Sequence, residues 1–208
     1  MSSKLSLLKI VDNLYENSSD LPDSSRLVAA LLEQEKASKK EKISYSFADL
    51  IGCWNLRFIT GTKKSRKKAG VVLGSGRYIP GLIKIQIVYQ SDRIAEASPH
   101  RQNNINTGRV INSVNIAGIS LSLTGPIKFI LTKNILAFDF TAIKIIVFGV
   151  QIYNGYLKNG KEKEAEFEGQ SLKHRAFFSY FFISENAIAA RGRGGGLAIW
   201  TREKQEKS

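Results

Sequence analysis

The chain is short of most residues that announce a particular chemistry. Its 208 residues include one cysteine, Cys53, and two histidines, His100 and His174. A single thiol excludes an intramolecular disulfide and any cysteine-based zinc cluster, and it fits a reducing compartment. Beside Trp54, Cys53 reads as a small buried hydrophobe rather than a reactive thiol. The histidines lie in different contexts with no nucleophile motif beside either, so both read as surface or strand residues. There is no Gly-x-Ser-x-Gly, no His-Glu-x-x-His and no metal-spaced Cys/His set. No catalytic residue, metal ligand or cofactor is therefore expected.

Long apolar runs are missing too. The longest uncharged stretch, Val110 to Ile127, is broken by Asn112, Asn115, Ser120, Ser122, Thr124 and Pro126. The more apolar run from Ile145 to Leu157 falls well short of the roughly 20 residues a bilayer helix needs. Residues 1–20 alternate apolar and charged positions instead of carrying the apolar core of a secretory signal, and Asp12 and Glu16 do not suit a transit peptide. The expectation is a chain without signal peptide or transmembrane helix, with peripheral membrane attachment left open.

Acidic residues are scarce: 18 Asp and Glu face 31 Lys and Arg, for a net charge of +13. Such a balance favours an anionic partner, whether membrane surface, nucleic acid or acidic protein. Residues 1–45 are neutral, with seven charges of each sign, whereas residues 46–110 hold eleven cations against three anions. The excess peaks at Lys63, Lys64, Arg66, Lys67 and Lys68, and no acid lies between Asp49 and Asp92 to neutralise it. Near an anionic bilayer each cation contributes on the order of 1 kcal/mol, screened by salt. The plainer reading is a solvated turn. Nucleic acid is not expected, since strand faces that interleave aromatics with basic residues are not evident.

What is present divides the chain. Leu7, Ile10, Val11 and Leu14 fall at helical spacing, and a turn follows at 17–22. Asp23, Ser24 or Ser25 is placed to cap a second helix over about 26–38, with Leu27, Ala30 and Leu31 on one face and a charged exit at 39–42. From Leu50 onward the apolar period switches to two. Trp54, Leu56 and Phe58 alternate with Asn55 and Arg57; Ile83, Ile85, Ile87 and Tyr89 with Lys84, Gln86 and Gln90; Ile119, Leu121 and Leu123 with Ser120, Ser122 and Thr124. Strand signals continue at 127–131, 136–140, 141–153, 176–183 and 197–202, punctuated by Gly74, Gly81, Gly118, Gly125, Asn134, Gly155, Asn159-Gly160 and 192–196. Eight to ten short strands without an intervening long helix predict an antiparallel sandwich or barrel. A barrel of about eight strands removes the sheet edges and leaves room for one small ligand.

The expected architecture is mainly all-β: a helical segment and linker over 1–45, a lipocalin-like antiparallel β-barrel over 46–203, and a charged tail over 204–208. Glu162, Glu164, Glu166 and Glu168 read as one solvated face of a strand, with Ala165 and Phe167 turned inward and the carboxylates too widely spaced for a metal cage. Of the aromatic run Phe177, Phe178, Tyr180, Phe181 and Phe182, about half should line the interior. Trp54, Phe138, Phe140, Phe178 and Tyr180 are the candidate cavity residues. The alternative for each is an ordinary filled core.

Two clusters carry a resemblance. Gly52-Cys53-Trp54 is the Gly-x-Trp arrangement that opens lipocalin (calycin) barrels, and Arg191-Gly192-Arg193-Gly194 leads into a final apolar strand ending at Trp200. With the basic stretch, the Tyr89-Gln90 strand end, the long meander and the helical preface ending in Leu31-Leu32-Glu33, they resemble, in order, the PAP/fibrillin (plastid lipid-associated protein) family over nearly the whole chain. The chain departs from the family at Ile188, where an arginine is usual, and at Glu185, which stands at best for an expected aspartate. The resemblance implies a non-enzymatic lipid-binding protein with an isoprenoid-type ligand (a carotenoid, quinone or related lipid). It further implies peripheral attachment at a plastoglobule or at the cytoplasmic side of a thylakoid, the latter if the chain is cyanobacterial. On this reading Lys63, Lys64, Arg66, Lys67 and Lys68 face the anionic membrane. One alternative is a lipocalin-like phycobilin lyase with Arg77, Arg93 and Arg109 pairing propionates. Another is a scaffold for a prenyl-lipid biosynthetic enzyme.

Overall fold

Two helices form where the 3.6-residue period is clearest. In the computed structural model, which describes residues 2–61, 76–92, 105–169, 171 and 175–204 (backbone alone over 2–6), α1 spans Ser2–Glu16 and α2 spans Ser24–Glu41. Asp23 caps α2 by accepting from the backbone N–H groups of Ser25 and Arg26 at 2.9 and 3.0 Å, and Lys42 ends it in a left-handed conformation. Both elements run longer than their apolar stripes, so Lys39 and Lys40 form the last helical turn instead of a linker.

Among the described residues eleven strands follow: β1 (Gly52–Ile59), β2 (Arg77–Tyr78), β3 (Ile83–Ser91), β4 (Ile105–Ile116), β5 (Ile119–Ile130), β6 (Ile135–Phe138), β7 (Ala142–Val147), β8 (Val150–Tyr156), β9 (Ala176–Ile183), β10 (Ala187–Gly192) and β11 (Leu197–Arg202). The order β1-β3-β4-β5-β6-β9-β10-β11 returns to β1, with every neighbour antiparallel. The chain is a closed eight-stranded β-barrel, the expected one of the two architectures that the two-residue period allows. One face of each barrel strand fills the lumen with Trp54, Leu56, Ile87, Tyr89, Ile127, Phe129, Tyr180 and Trp200, among others. The opposite face of β1 and β9–β11 carries Phe58, Phe182, Ala189, Leu197 and Ile199, which pack under Leu7, Val11, Leu14, Leu27 and Leu31 of the helices. The helices therefore cover the outside of the barrel.

Register shifts interrupt the β1–β11 and β9–β10 pairs, and one strand changes its neighbour partway along. The lower half of β5, from Ile127 to Ile130, pairs with β6, whereas its upper half, from Ile119 to Thr124, pairs with β7 and, through β7, with β8. The barrel consequently flares at this end into a β3-β4-β5-β7-β8 sheet that ends at β8.

Several local expectations are corrected. Residues 141–153 are not one strand but parts of two, joined by a two-residue turn at Phe148-Gly149 with φ of 47° and 81°. Residues 161–168 do not form a strand: α3 spans Gly160–Ala165, and turns follow. Lys, Glu and Ala favour helix and lack the branched or aromatic side chains that stabilise strands. Phe167 is buried as expected, but Ala165 is exposed. Gly125 and Gly155 lie within strands instead of turns. At Gly125 a Cβ would stand 1.9 Å from the carbonyl oxygen of Asp139, so the crossing of β5 by the β6–β7 connection requires glycine.

Candidate ligand face at the barrel mouth

One end of the barrel is sealed by Trp54. Its indole donates to the carbonyl of Leu50 at 2.8 Å, at the end of a 3-10 turn over Ala48–Leu50. The Arg202 guanidinium lies 4.0 Å from the ring centroid and donates to the carbonyl oxygens of Glu185, Ile51 and Asp49. Gly52, at φ 131°, leaves the space in which Arg202 reaches this position, since a Cβ there would sit 2.7 Å from the guanidinium. This is the structural meaning of the Gly-x-Trp sequence: a bent entry, a plug and a cation laid across it. Phe47 and Phe129, in the same core cluster, stack on each other with centroids 5.8 Å apart.

The barrel middle is a packed aromatic layer. Phe138 lies 5.3 Å from Phe140 and 5.1 Å from Phe178, and Phe178 lies 5.4 Å from Trp200 and 6.3 Å from Tyr180. Tyr180 and Tyr89 share a buried hydrogen bond of 2.7 Å between their hydroxyls; burial pushes both pKa values well above the ordinary tyrosine range. The structure thus brings Phe138, Phe140, Phe178 and Tyr180 into one group, with Trp54 at the sealed end. They meet one another as a floor. The aromatic run divides as expected: Phe178 and Tyr180 enter the lumen, whereas a register shift in the β9–β10 pair accompanies the packing of both Phe181 and Phe182 beneath the helices.

Above this floor the flared sheet continues the lumen face without a change of phase. Register places Ile83 opposite Ile116, and Ile85 opposite Val114. It sets Ile116 opposite Ile119 and Val114 opposite Leu121. Ile119, Leu121 and Leu123 then face Val147, Ile145 and Ile143, which are followed by Val150 opposite Val147 and Tyr153 opposite Ile145. Opposite-facing positions are polar over much of the same sheet: Lys84, Gln86, Ser113, Asn115, Ser120, Ser122, Thr124, Lys144 and Asn154. Five strands at the usual spacing make an apolar face about 20 Å wide. Ile116, Ile119, Val150 and Tyr153 on it are exposed, and the remainder are half-buried. A contiguous apolar surface of this kind, rimmed by polar groups, marks an interaction site. Where the face meets the lumen, Asn112 lies between Ile87 and Leu123 as its polar exception. These residues were not among the sequence candidates. Their shared alternation was visible in β3 and β5, but the pairing that aligns the stripes was not.

Other expected residues fall elsewhere. Lys63, Lys64, Arg66, Lys67, Lys68, Arg93, His100 and His174 lie outside the described residues. Arg77 is exposed on β2, and Arg109, on the outer face of β4, donates at 2.6 Å to Glu164. The two do not converge on the lumen. Cys53 is half-buried beneath the Gln86 amide, which donates to its Sγ at 3.2 Å, and burial raises the thiol pKa. Among the described residues no cluster of His, Cys, Asp or Glu is arranged to hold a metal, and no helix is long and apolar enough to cross a membrane. Clefts of about 300 to 420 Å³ lie along the helices and the Gly192–Gly196 turn, and Tyr180 lines one of them.

No protein-family description and no curated protein matches the chain. Among solved structures it is similar to a redesigned β-barrel at 11% identity, covering 76% of this chain and 94% of that one, with a TM-score of 0.33.

Proposed function

We propose that the chain is a lipid-associated binding protein that holds a hydrophobic ligand of isoprenoid type, such as a quinone or carotenoid, on the apolar face at its barrel mouth. In this reading it works peripherally at a thylakoid-type membrane, in the manner of the PAP/fibrillin proteins its sequence resembles. One observation carries the reading: a side-chain phase that belongs to a barrel core continues beyond the core onto five strands, where it is left partly exposed. Such exposure is unfavourable in water by about 25 cal/mol per Å², and an apolar guest removes it. The aromatic floor and the Trp54 plug confine that guest to the open end, and Asn112 offers a single polar contact for a carbonyl or hydroxyl headgroup. The stretch from Lys63 to Lys68 supplies long-range attraction to anionic lipid. Changing its five cations to Ser is expected to weaken flotation with anionic vesicles, by on the order of 1 kcal/mol per cation at most.

The test is a titration with decylplastoquinone, a quinone that quenches tryptophan emission. Trp200 lies within the lumen layer and reports its arrival. Saturable quenching should occur in the native chain and weaken about tenfold or more in Leu121→Lys, which places a charge at the centre of the face. Quenching that is absent, or identical in both proteins, contradicts the reading.

A further inference from the structure

We propose that three neighbouring turns at the flared end form a docking tip that seats in an anionic lipid bilayer. This rests on the lipid-binding reading, because it supplies the route by which a membrane-dissolved ligand meets the apolar face. The turns are Gly81-Leu82 before β3, Ala117-Gly118 between β4 and β5, and Phe148-Gly149 between β7 and β8. The register places them side by side: Ile83 is opposite Ile116, Ile116 opposite Ile119, and Ile119 opposite Val147. Their outermost side chains are large and apolar. Leu82 is 90% exposed and Phe148 80%.

Phe148 carries an independent sign of purpose. It occupies the left-handed region at φ 47°, which is uncommon for a bulky residue, at a turn position that Asn or Gly fills without strain. Its ring lies over Gly118, where a Cβ would come within 2.7 Å of it, and its N–H donates to the Gly118 carbonyl at 2.8 Å. An aromatic ring held in a strained turn and left in solvent gains little within the chain itself. Its gain lies in leaving water.

Charge selects the occupant. Strands β3, β4, β5, β7 and β8 contain no Asp or Glu, Lys144 stands on the polar face behind the tip beside Lys84, which pairs with Glu203 at 2.7 Å, and the whole chain is at +13. Anionic headgroups complement this surface. A second copy of the chain would bring like charge to like. Strand pairing through β8 is also blunted, because a register shift between Ile145 and Ile146 breaks its ladder. The Ile83 N–H donates to the Pro80 carbonyl at 3.0 Å and the Phe148 N–H to the Gly118 carbonyl at 2.8 Å, so these backbone donors are satisfied where the tip meets the interface.

The experiment is flotation of the full chain with vesicles of phosphatidylcholine, with and without phosphatidylglycerol. Native protein should float with the anionic vesicles, and L82S/F148S should lose about tenfold or more of that partition. Both side chains are exposed, so an unchanged thermal melt is expected. In F148W, emission should shift to the blue and be quenched by brominated acyl chains. Unchanged flotation of L82S/F148S, or absence of that shift in F148W, overturns the proposal. So does a native dimer that L82S/F148S converts to monomer without vesicles, which would assign the tip to a second copy. Decylplastoquinone quenching separates the two readings. If it persists while flotation ignores the tip, docking alone fails; if flotation needs the tip but quenching is absent, the ligand assignment alone fails.

Discussion

The hydroxyls of Tyr89 and Tyr180 are buried donors and acceptors with each other as partner. Removing one leaves the other unsatisfied in the lumen, whereas removing both leaves two rings of the same shape. Tyr180→Phe should therefore cost about 1–3 kcal/mol in chemical denaturation, and Tyr89→Phe/Tyr180→Phe should return close to the native value. Glu35 and Arg191 form the comparable charged pair. Glu35 accepts from the guanidinium at 2.9 and 2.5 Å, and Arg191 also donates to the Gly195 carbonyl at 2.7 Å. The Arg191 hydrogen bonds hold the Glu35 carboxyl below its ordinary pKa. A depressed carboxylate contributes stability that is present above its unfolded value and is lost as pH falls through the folded one. Glu35→Gln should thus lower stability by about 1–2 kcal/mol at neutral pH and flatten the loss on acidification, read from melts across the acid range. Trp54 and Gly52 were legible in sequence because their spacing is local. Arg202 was not tied to Trp54 by any local signal, since its place across the indole depends on β11 closing against β1.

At the scale of elements, each helix stripe and most strand alternations could be read directly, because burial on one face imposes the period. The failures have separate causes. The Glu-rich segment alternates in sequence, yet it has too little apolar surface to be held in a sheet, and helix propensity decides α3. The β7–β8 hairpin reads as one run because Phe148 occupies a place where turn chemistry predicts Asn or Gly. The helices also have a structural duty beyond their own stability. Deleting residues 1–41 would expose Phe58, Phe181, Leu197 and Ile199 on the outside of the barrel. The truncated chain is expected to aggregate or to bind an apolar dye, as measured by light scattering and dye fluorescence; a soluble monomer with native melting behaviour would contradict that duty.

For the molecule as a whole, the barrel encloses a core at one end and presents it at the other. Strand number and spacing narrowed the fold to a sandwich or a barrel, and removal of sheet edges favoured the barrel, but the flare was not legible. It arises because β5 exchanges its neighbour from β6 to β7 halfway along. Four of the aromatics named from sequence, Phe138, Phe140, Phe178 and Tyr180, pack against one another, and the partly exposed apolar surface lies beyond them on β3, β4, β5, β7 and β8. Whether this surface carries a lipid is tested most directly by gentle purification, solvent extraction and mass spectrometry of what the native chain retains. A prenyl-type lipid is expected at a substantial fraction of one per chain, lost in Leu121→Lys. Recovery of no apolar molecule from the native chain, or equal recovery from both proteins, would contradict it.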